Sequence, residues 1–301
     1  MTTKTIDPAD LTPNEFYKFM IGTIGPRPIA FASTIDAQGS VNLSPFSFFG
    51  MFGYNPPTLV FAPTINRHGH KKHTLLNVEE VGEVVINVVN YAMVEQMSLA
   101  SAEFERGVNE FGKAGFTAVA SNKIRPPRVA ESPAAYECIV KQIIDTGIPG
   151  HDNQPGTGHL VICEVVMAHL HDAIFTEKGA IDPHRIDLIG RLGGDWYARA
   201  HGDALFEVGR PKPGIGVDQV PVSVRNSAIL TGNDLGKLGS TDALPSPADI
   251  SAYRVSGALT TLFDEAQTGC QYLPDLLHLR AKQLLTENNV REAWLTLLST
   301  E

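Results

Sequence analysis

The sequence predicts a mainly β chain with α: an antiparallel barrel with peripheral helices outside its wall, followed by a C-terminal helical extension. Three observations lead there. Strand-like segments such as PIAFASTI, TLVFAP, VVINVVN, AAYECIVKQII and HLVICEVVMAHL outweigh a few short helices. They follow one another without the regular helical crossover that parallel βαβ units need. After Tyr197 the pattern changes, first to Gly- and Pro-rich sequence and then to amphipathic helices.

Taken in order, Thr12, Pro13 and Glu15 form a capping signature, so a helix is expected from there to about Met20. PIAFASTI reads as a strand, and Asp36 to Gly39 as the turn that ends it. The return through SVNLSPFSFF sets small hydroxyls among prolines and phenylalanines, which suits a ligand with a flat apolar part and an anionic tail. TLVFAP is a strand buried on both faces, His70 to Val81 a helix, and VVINVVN a second buried strand. Met93 and Met97, spaced i and i+4, mark a helix over Tyr91 to Leu99. The last two strands are joined by TGIPGHDNQPGTG, a surface loop that leads to His159.

The barrel domain is placed at 1–205 and a second region at 206–301, made of an extended arm or lid and C-terminal helices that pack on the barrel or on a partner subunit. Gly209 to Pro245 has few periodic apolar positions, hence the arm. Ser246, Pro247 and Asp249 cap a helix whose apolar face is Val255, Leu259, Leu262, Phe263 and Ala266; Leu273, Leu276, Leu277, Ala281, Leu284 and Leu285 form another.

The 301 residues are 43% hydrophobic and 19% charged, as in a well-packed globular protein. The net charge of -9 argues against a nucleic-acid partner, which demands dense Lys and Arg. No run approaches the roughly 20 apolar residues of a membrane span, and MTTKTIDPAD is no secretion signal. A cytoplasmic protein with no membrane partner is expected. Cys138, Cys163 and Cys270 are too scattered for a disulfide framework or a zinc site and are expected to be buried as small hydrophobes.

Several groups carry candidate chemistry. Ser44 and Ser47, with Lys71, Lys72 and Thr74 at the start of a helix, make a phosphate cradle of N–H and O–H donors plus positive charge. His68, His70 and His73, and the pair His169 and His171, lack acidic or Cys neighbours at ligand spacing, so no metal site is expected. Arg185, Asp187, Arg191, Gly193, Gly194 and Tyr197 either close over a bound ring and fix a carboxylate or phenol, or form a structural turn.

Over residues 20 to 200 the chain resembles the flavin reductase-like family, with its FMN-binding split barrel of antiparallel, Greek-key-like strands. The resemblance rests on RPIAFASTIDAQGSVNLSPFSFF, PPTLVFAP, KKHTLLNVEEVGEVVINVV, PPRVAESPAAYEC and TGHLVICEV in that order. It implies a homodimer with FMN, or alternatively FAD, near the subunit interface. The cofactor would be held by backbone around Ala32, Ser33 and Thr34, by Asn42, Leu43, Ser44 and Ser47, by Ala62 along the ring, and by Lys72 and Thr74 at the phosphate. Two departures from the family pattern stand out: Lys72-His73-Thr74 carries a His where relatives have Asp, and Thr157-Gly158-His159 keeps the His but loses the acid of Gly-Asp-His. His159 is then the candidate catalytic residue, donating to a hydride donor's amide or to a flavin-bound oxygen species.

The implied activity is that of an FMN-dependent oxidoreductase of the NAD(P)H:flavin oxidoreductase type, with NAD(P)H as hydride donor. One alternative is a flavin-dependent monooxygenase for a small aromatic or heteroaromatic substrate, with the C-terminal arm as lid. A second is a non-catalytic flavin-binding module on the same fold.

Overall fold

A computed structural model describes residues 2–66, 69–146, 157–211, 213–269 and 272–300. Thr12 and Glu15 cap each other's backbone N–H groups at the head of helix α1 (Pro13–Thr23), which runs one turn beyond the expected end. Next come β1 (Ala30–Ile35), the turn at Asp36 to Gly39, and β2 (Val41–Phe46). Asp36 shapes that turn by accepting from the N–H groups of Gln38 and Ser40.

Strands β3 (Phe49–Tyr54) and β4 (Pro57–Phe61), helix α2 (His73–Val81) and β5 (Glu83–Val88) follow, then α3 (Val94–Leu99), α4 (Glu110–Ala114) and the short pair β6 (Ala118–Val119) and β7 (Arg128–Val129). The long strands β8 (Ala134–Asp145) and β9 (His159–Leu170) pair along their length, and α5 (Pro183–Ile186), β10 (Ile189–Arg191) and β11 (Tyr197–Arg199) close this part of the chain. Among the described residues, seven strands form one antiparallel sheet in the order β2-β1-β5-β8-β9-β4-β3.

That order dictates closure. β2 and β3 are the two edges of the sheet, yet only Ser47 and Phe48 separate them in sequence. Two linking residues reach about 10 Å, so the sheet must curl enough to bring the end of β2 beside the start of β3. The fold is the expected split barrel with peripheral helices. The Ala62 N–H donates to the Phe48 carbonyl at 2.8 Å and so carries the β3–β4 pairing one step further.

β1 is buried at every position because both of its faces are covered. Phe31 packs with Leu43, Phe111, Phe116, Met93 and Met97; the expected single helix over Tyr91 to Leu99 is a 3-10 turn, Tyr91–Met93, followed by α3, and both methionines are buried. Ala30 and Ala32 point into the cluster of Phe46, Phe61, Ile86, Val161 and Cys163, which α2 joins through Leu75 and Val78. Cys138 and Cys163 are buried, and burial pushes both thiols up, Cys163 to about 12. Cys270, His68 and loop positions 147–156 lie outside the described residues.

The chain divides into two compact units, Met1–Phe206 and Glu207–Glu301. In the second, the expectation of an extended arm over Gly209 to Pro245 is corrected. The segment folds into α6 (Val222–Arg225) and α7 (Gly232–Gly239), and its Val220, Val224, Leu230 and Leu238 join a core with Leu284, Leu285, Trp294 and Leu297. Short helices with irregular apolar spacing hide such a core from periodicity. The single face drawn through Val255 to Ala266 is also corrected. α8 (Pro247–Val255) stops before Gly257, at φ +86°, and α9 (Thr260–Gln267) starts afresh, leaving Val255 83% exposed and Leu259 buried. α10 (Leu273–Thr286) buries Leu276, Leu277, Ala281, Leu284 and Leu285 as the spacing predicts, and α11 (Val290–Leu297) carries Trp294 into the core.

Among the described residues, no helix is long and apolar enough to cross a membrane.

Candidate functional site

Lys72 occupies the N-cap position of α2 and offers no capping side chain. The first N–H groups of that nine-residue helix therefore open into a cleft. Lys71, Lys72, His73 and Thr74 line it from the helix, Asn42 and Ser44 from β2, Asn66 from the loop before α2, and Glu103 and Glu110 from the far side. Lys71 pairs with Glu79 at 2.6 Å and Lys72 with Glu103 at 3.6 Å. Burial, then Arg106 and Lys72, push the His73 imidazole down, which leaves it a neutral donor over more of the pH range.

The structure thus brings together Asn42, Ser44, Lys72 and Thr74. Ser47 stands apart. A strand places i and i+3 on opposite faces, β2 ends at Phe46, and the Ser47 hydroxyl accepts from Arg27 Nε at 3.4 Å. Arg27 also donates to the carbonyls of Ile21, Ile24 and Leu192.

The backbone donors of β1, expected near a cofactor, are engaged within the sheet. Leu43 N–H points away from β1 and donates to Glu110 Oε2 at 2.9 Å. In an antiparallel ladder the pairing then alternates: Ala32 and Thr34 spend their backbone groups on Ser44 and Asn42, and Ser33 on Val85 of β5. The N–H groups of Ala32, Ser33, Thr34, Leu43 and Ala62 are committed, because β1 is interior, Glu110 takes the Leu43 N–H, and Ala62 continues the β3–β4 pairing.

Side chains do the remaining work. Thr34 is fully buried, and its hydroxyl accepts from Asn42 Nδ2 at 3.3 Å and Asn77 Nδ2 at 3.1 Å. Asn42 Nδ2 also reaches Thr74 Oγ1 at 2.8 Å. This network ties β1, β2 and α2 together behind the cleft. Ser33 Oγ is buried with no hydrogen-bond partner among the described residues.

His159 is the first residue of β9 and is 5% exposed, so it sits inside the wall and not on an open rim. Its Nδ1 is buried and without a hydrogen-bond partner among the described residues. The neighbouring Thr157 carbonyl accepts from Ile65 N–H at 2.9 Å, which brings this segment beside the end of the Ala62 stretch.

Glu110 is the site residue that sequence reading missed. The Asn109 cap and the acid at the head of a short helix are the only local signals, and they look like ordinary helix chemistry. Burial pushes the Glu110 carboxyl up, opposed by the Leu43 N–H.

Of the residues near 190, Arg191 lies 4.5 Å above the Tyr197 ring and Arg199 3.8 Å above Tyr91. Both line a second cleft with Glu95, Ser98 and Asp195. Arg199 grips Asp187 with two bonds of 2.7 Å. Arg185 belongs elsewhere, paired with Asp182 at 3.2 Å. Gly193 is a close approach, since a Cβ there would stand 3.1 Å from Gly22 Cα in α1. His169 is held by the buried Glu137 at 2.6 Å, and His171 accepts from Ala173 N–H.

The chain is similar to several known proteins in sequence and fold. Nitrilotriacetate monooxygenase component B from Bacillus cereus is 28% identical, superimposes with a TM-score of 0.63, and covers 69% of this chain and 100% of its own. The 2-nitrobenzoate 2-nitroreductase NbaA of Pseudomonas fluorescens is 30% identical with a TM-score of 0.59, covering 71% of this chain and 100% of its own. An uncharacterized protein of Halalkalibacterium halodurans is 34% identical over 206 residues, 68% of this chain and 96% of its own. The family model of the flavin reductase like domain matches residues 23–183, and the chain belongs to that family.

Proposed function

We propose that the protein is an FMN-dependent oxidoreductase of the NAD(P)H:flavin oxidoreductase type. The observation that carries this reading is the uncapped start of α2, which opens with Lys71 and Lys72 into a cleft also lined by Asn42, Ser44 and Thr74, in a chain of the flavin reductase-like family. Oriented N–H groups, two ammonium groups and neutral donors are the set that a phosphate tail requires.

Lys72 and the first turn of α2 would hold the phosphate of FMN. Ser44 and Thr74 add hydroxyl donors, and Asn42 fixes Thr74 from behind. When bound, the flavin accepts a hydride and passes on two electrons. His159, with an unpaired Nδ1 in a buried position, is suited to orient the hydride donor's amide. Edge strand β3 exposes Met51, Phe52 and Tyr54 at 76%, 73% and 91%; an unpaired edge with such side chains supports assembly with a second copy of the chain.

No specific observation favours the oxygenase alternative. Residues 207–301 fold around a core of their own, so their length does not itself argue for a lid. The reading is tested by mixing the purified protein anaerobically with FMN and either NADH or NADPH while recording the visible spectrum. Bleaching of the oxidised flavin band that depends on protein is expected. Absence of both flavin binding and flavin-dependent NAD(P)H oxidation would remove the proposal.

A further inference from the structure

Glu110 faces the cleft in an unusual position for an acid. It is 5% exposed, and its carboxyl has the Leu43 N–H as its hydrogen-bond partner from β2. The groups that share the cleft with it are Lys71, Lys72 and His73 at the start of α2, and Glu103, which is largely exposed and paired with Lys72. β2 carries no titratable side chain. On α3 the only one is Glu95, which lines the second cleft, and on α4 itself the only other is Lys113 in the last turn. Arg106 acts on His73.

A buried carboxylate and a phosphate dianion in one cleft repel unless a proton lies between them. Either the carboxyl is protonated and donates to a phosphate oxygen, or the phosphate keeps one P–O–H and donates to the carboxylate. Both arrangements hold the same number of protons. A phosphate monoester, with a second pKa of about 6, can hold that proton itself; a sulfate ester has no proton to give and can only receive one from Glu110.

We propose that Glu110 makes this cleft selective for a phosphate monoester over an anion without an exchangeable proton, and that the ligand enters together with one proton shared between them. This rests on the reading of the cleft as the site of the FMN phosphate. The proton comes from solvent, and no covalent bond is made or broken.

The test uses the full chain, with FMN and riboflavin 5′-sulfate as probes. Binding is followed by flavin fluorescence, and proton uptake by titration calorimetry at pH 8 in two buffers of different ionisation enthalpy. Wild type should take up close to one proton per FMN and bind the sulfate ester about tenfold or more weakly. Glu110→Gln keeps an acceptor for Leu43 N–H and supplies a permanent donor. It should abolish the uptake and bring the two ligands within about threefold of each other, whereas His73→Gln should leave the uptake in place. Lys72→Ala should weaken both ligands. If Lys72→Ala leaves FMN binding unchanged, the cleft is not the phosphate site, and that reading and this one fall together. If Lys72→Ala weakens binding but wild type takes up no proton, or Glu110→Gln takes up as much as wild type, the role of Glu110 alone is refuted. The wild-type calorimetry decides the matter even if Glu110→Gln does not fold.

Discussion

The side-chain amide of Asn42 donates to Thr74 Oγ1 at 2.8 Å, joining an edge strand to the first turn of a helix 32 residues further along the chain. The same amide reaches Thr34, which also receives Asn77. All four residues are buried. Thr34→Val keeps the shape but leaves Asn42 and Asn77 short of an acceptor. It should lower stability by about 1 to 3 kcal/mol in urea unfolding and weaken FMN binding as α2 loosens. An unchanged unfolding midpoint would show that the network is dispensable.

Lys72 supplies charge to the cleft, whereas Thr74 is already engaged with Asn42. Lys72→Ala should therefore weaken FMN binding by roughly 1.5 to 3 kcal/mol, the range for a hydrogen bond to a charged group. It should also flatten the salt dependence of the affinity. Riboflavin, which has no phosphate, should bind the variant as it binds wild type.

For His159, buried with Nδ1 unpaired, the expected signature is a split between steps. His159→Gln should lower the rate of flavin reduction by NAD(P)H by at least about tenfold while changing FMN affinity little. Stopped-flow reduction at saturating FMN measures the first, and a fluorescence titration the second. Equal losses in both would assign His159 to packing.

Glu110 gives a pH dependence whose sign is opposite to that of a salt-bridged acid. Its folded carboxyl is pushed up by burial, so between the unfolded and folded values the native state binds more protons than the unfolded chain. The ligand-free protein should lose stability as pH rises through that window. Glu110→Gln should be more stable than wild type on the alkaline side of it and lose this advantage on the acid side, in thermal unfolding without flavin. A constant difference across pH would contradict the shift.

Trp294 is fully buried in the helical unit, and its Nε1 donates to Thr241 Oγ1 at 2.8 Å and to the Leu238 carbonyl at 3.2 Å. Trp294→Ala should destabilise residues 207–301 by about 3 to 5 kcal/mol. FMN affinity should survive, because the cleft is lined from residues 42 to 110. Hydrogen exchange read by mass spectrometry separates the two units.

The sequence by itself determined the run of strands, the capped start of α1, the burial of Met93 and Met97, the apolar face of α10, and the meeting of Asn42, Ser44, Lys72 and Thr74. These follow from local periodicity, from capping chemistry and from five motifs in order. Tertiary structure alone decided which polar groups were left over for a ligand. Ala32, Ser33 and Thr34 lose their backbone donors because β1 lies between two strands, and Leu43 loses its own to Glu110, 67 residues away. Such pairings join residues far apart in sequence, so no local pattern records them. The core of residues 207–301 was hidden for the same reason: Val220, Leu238 and Trp294 meet only after helices α6 to α11 have turned back on one another.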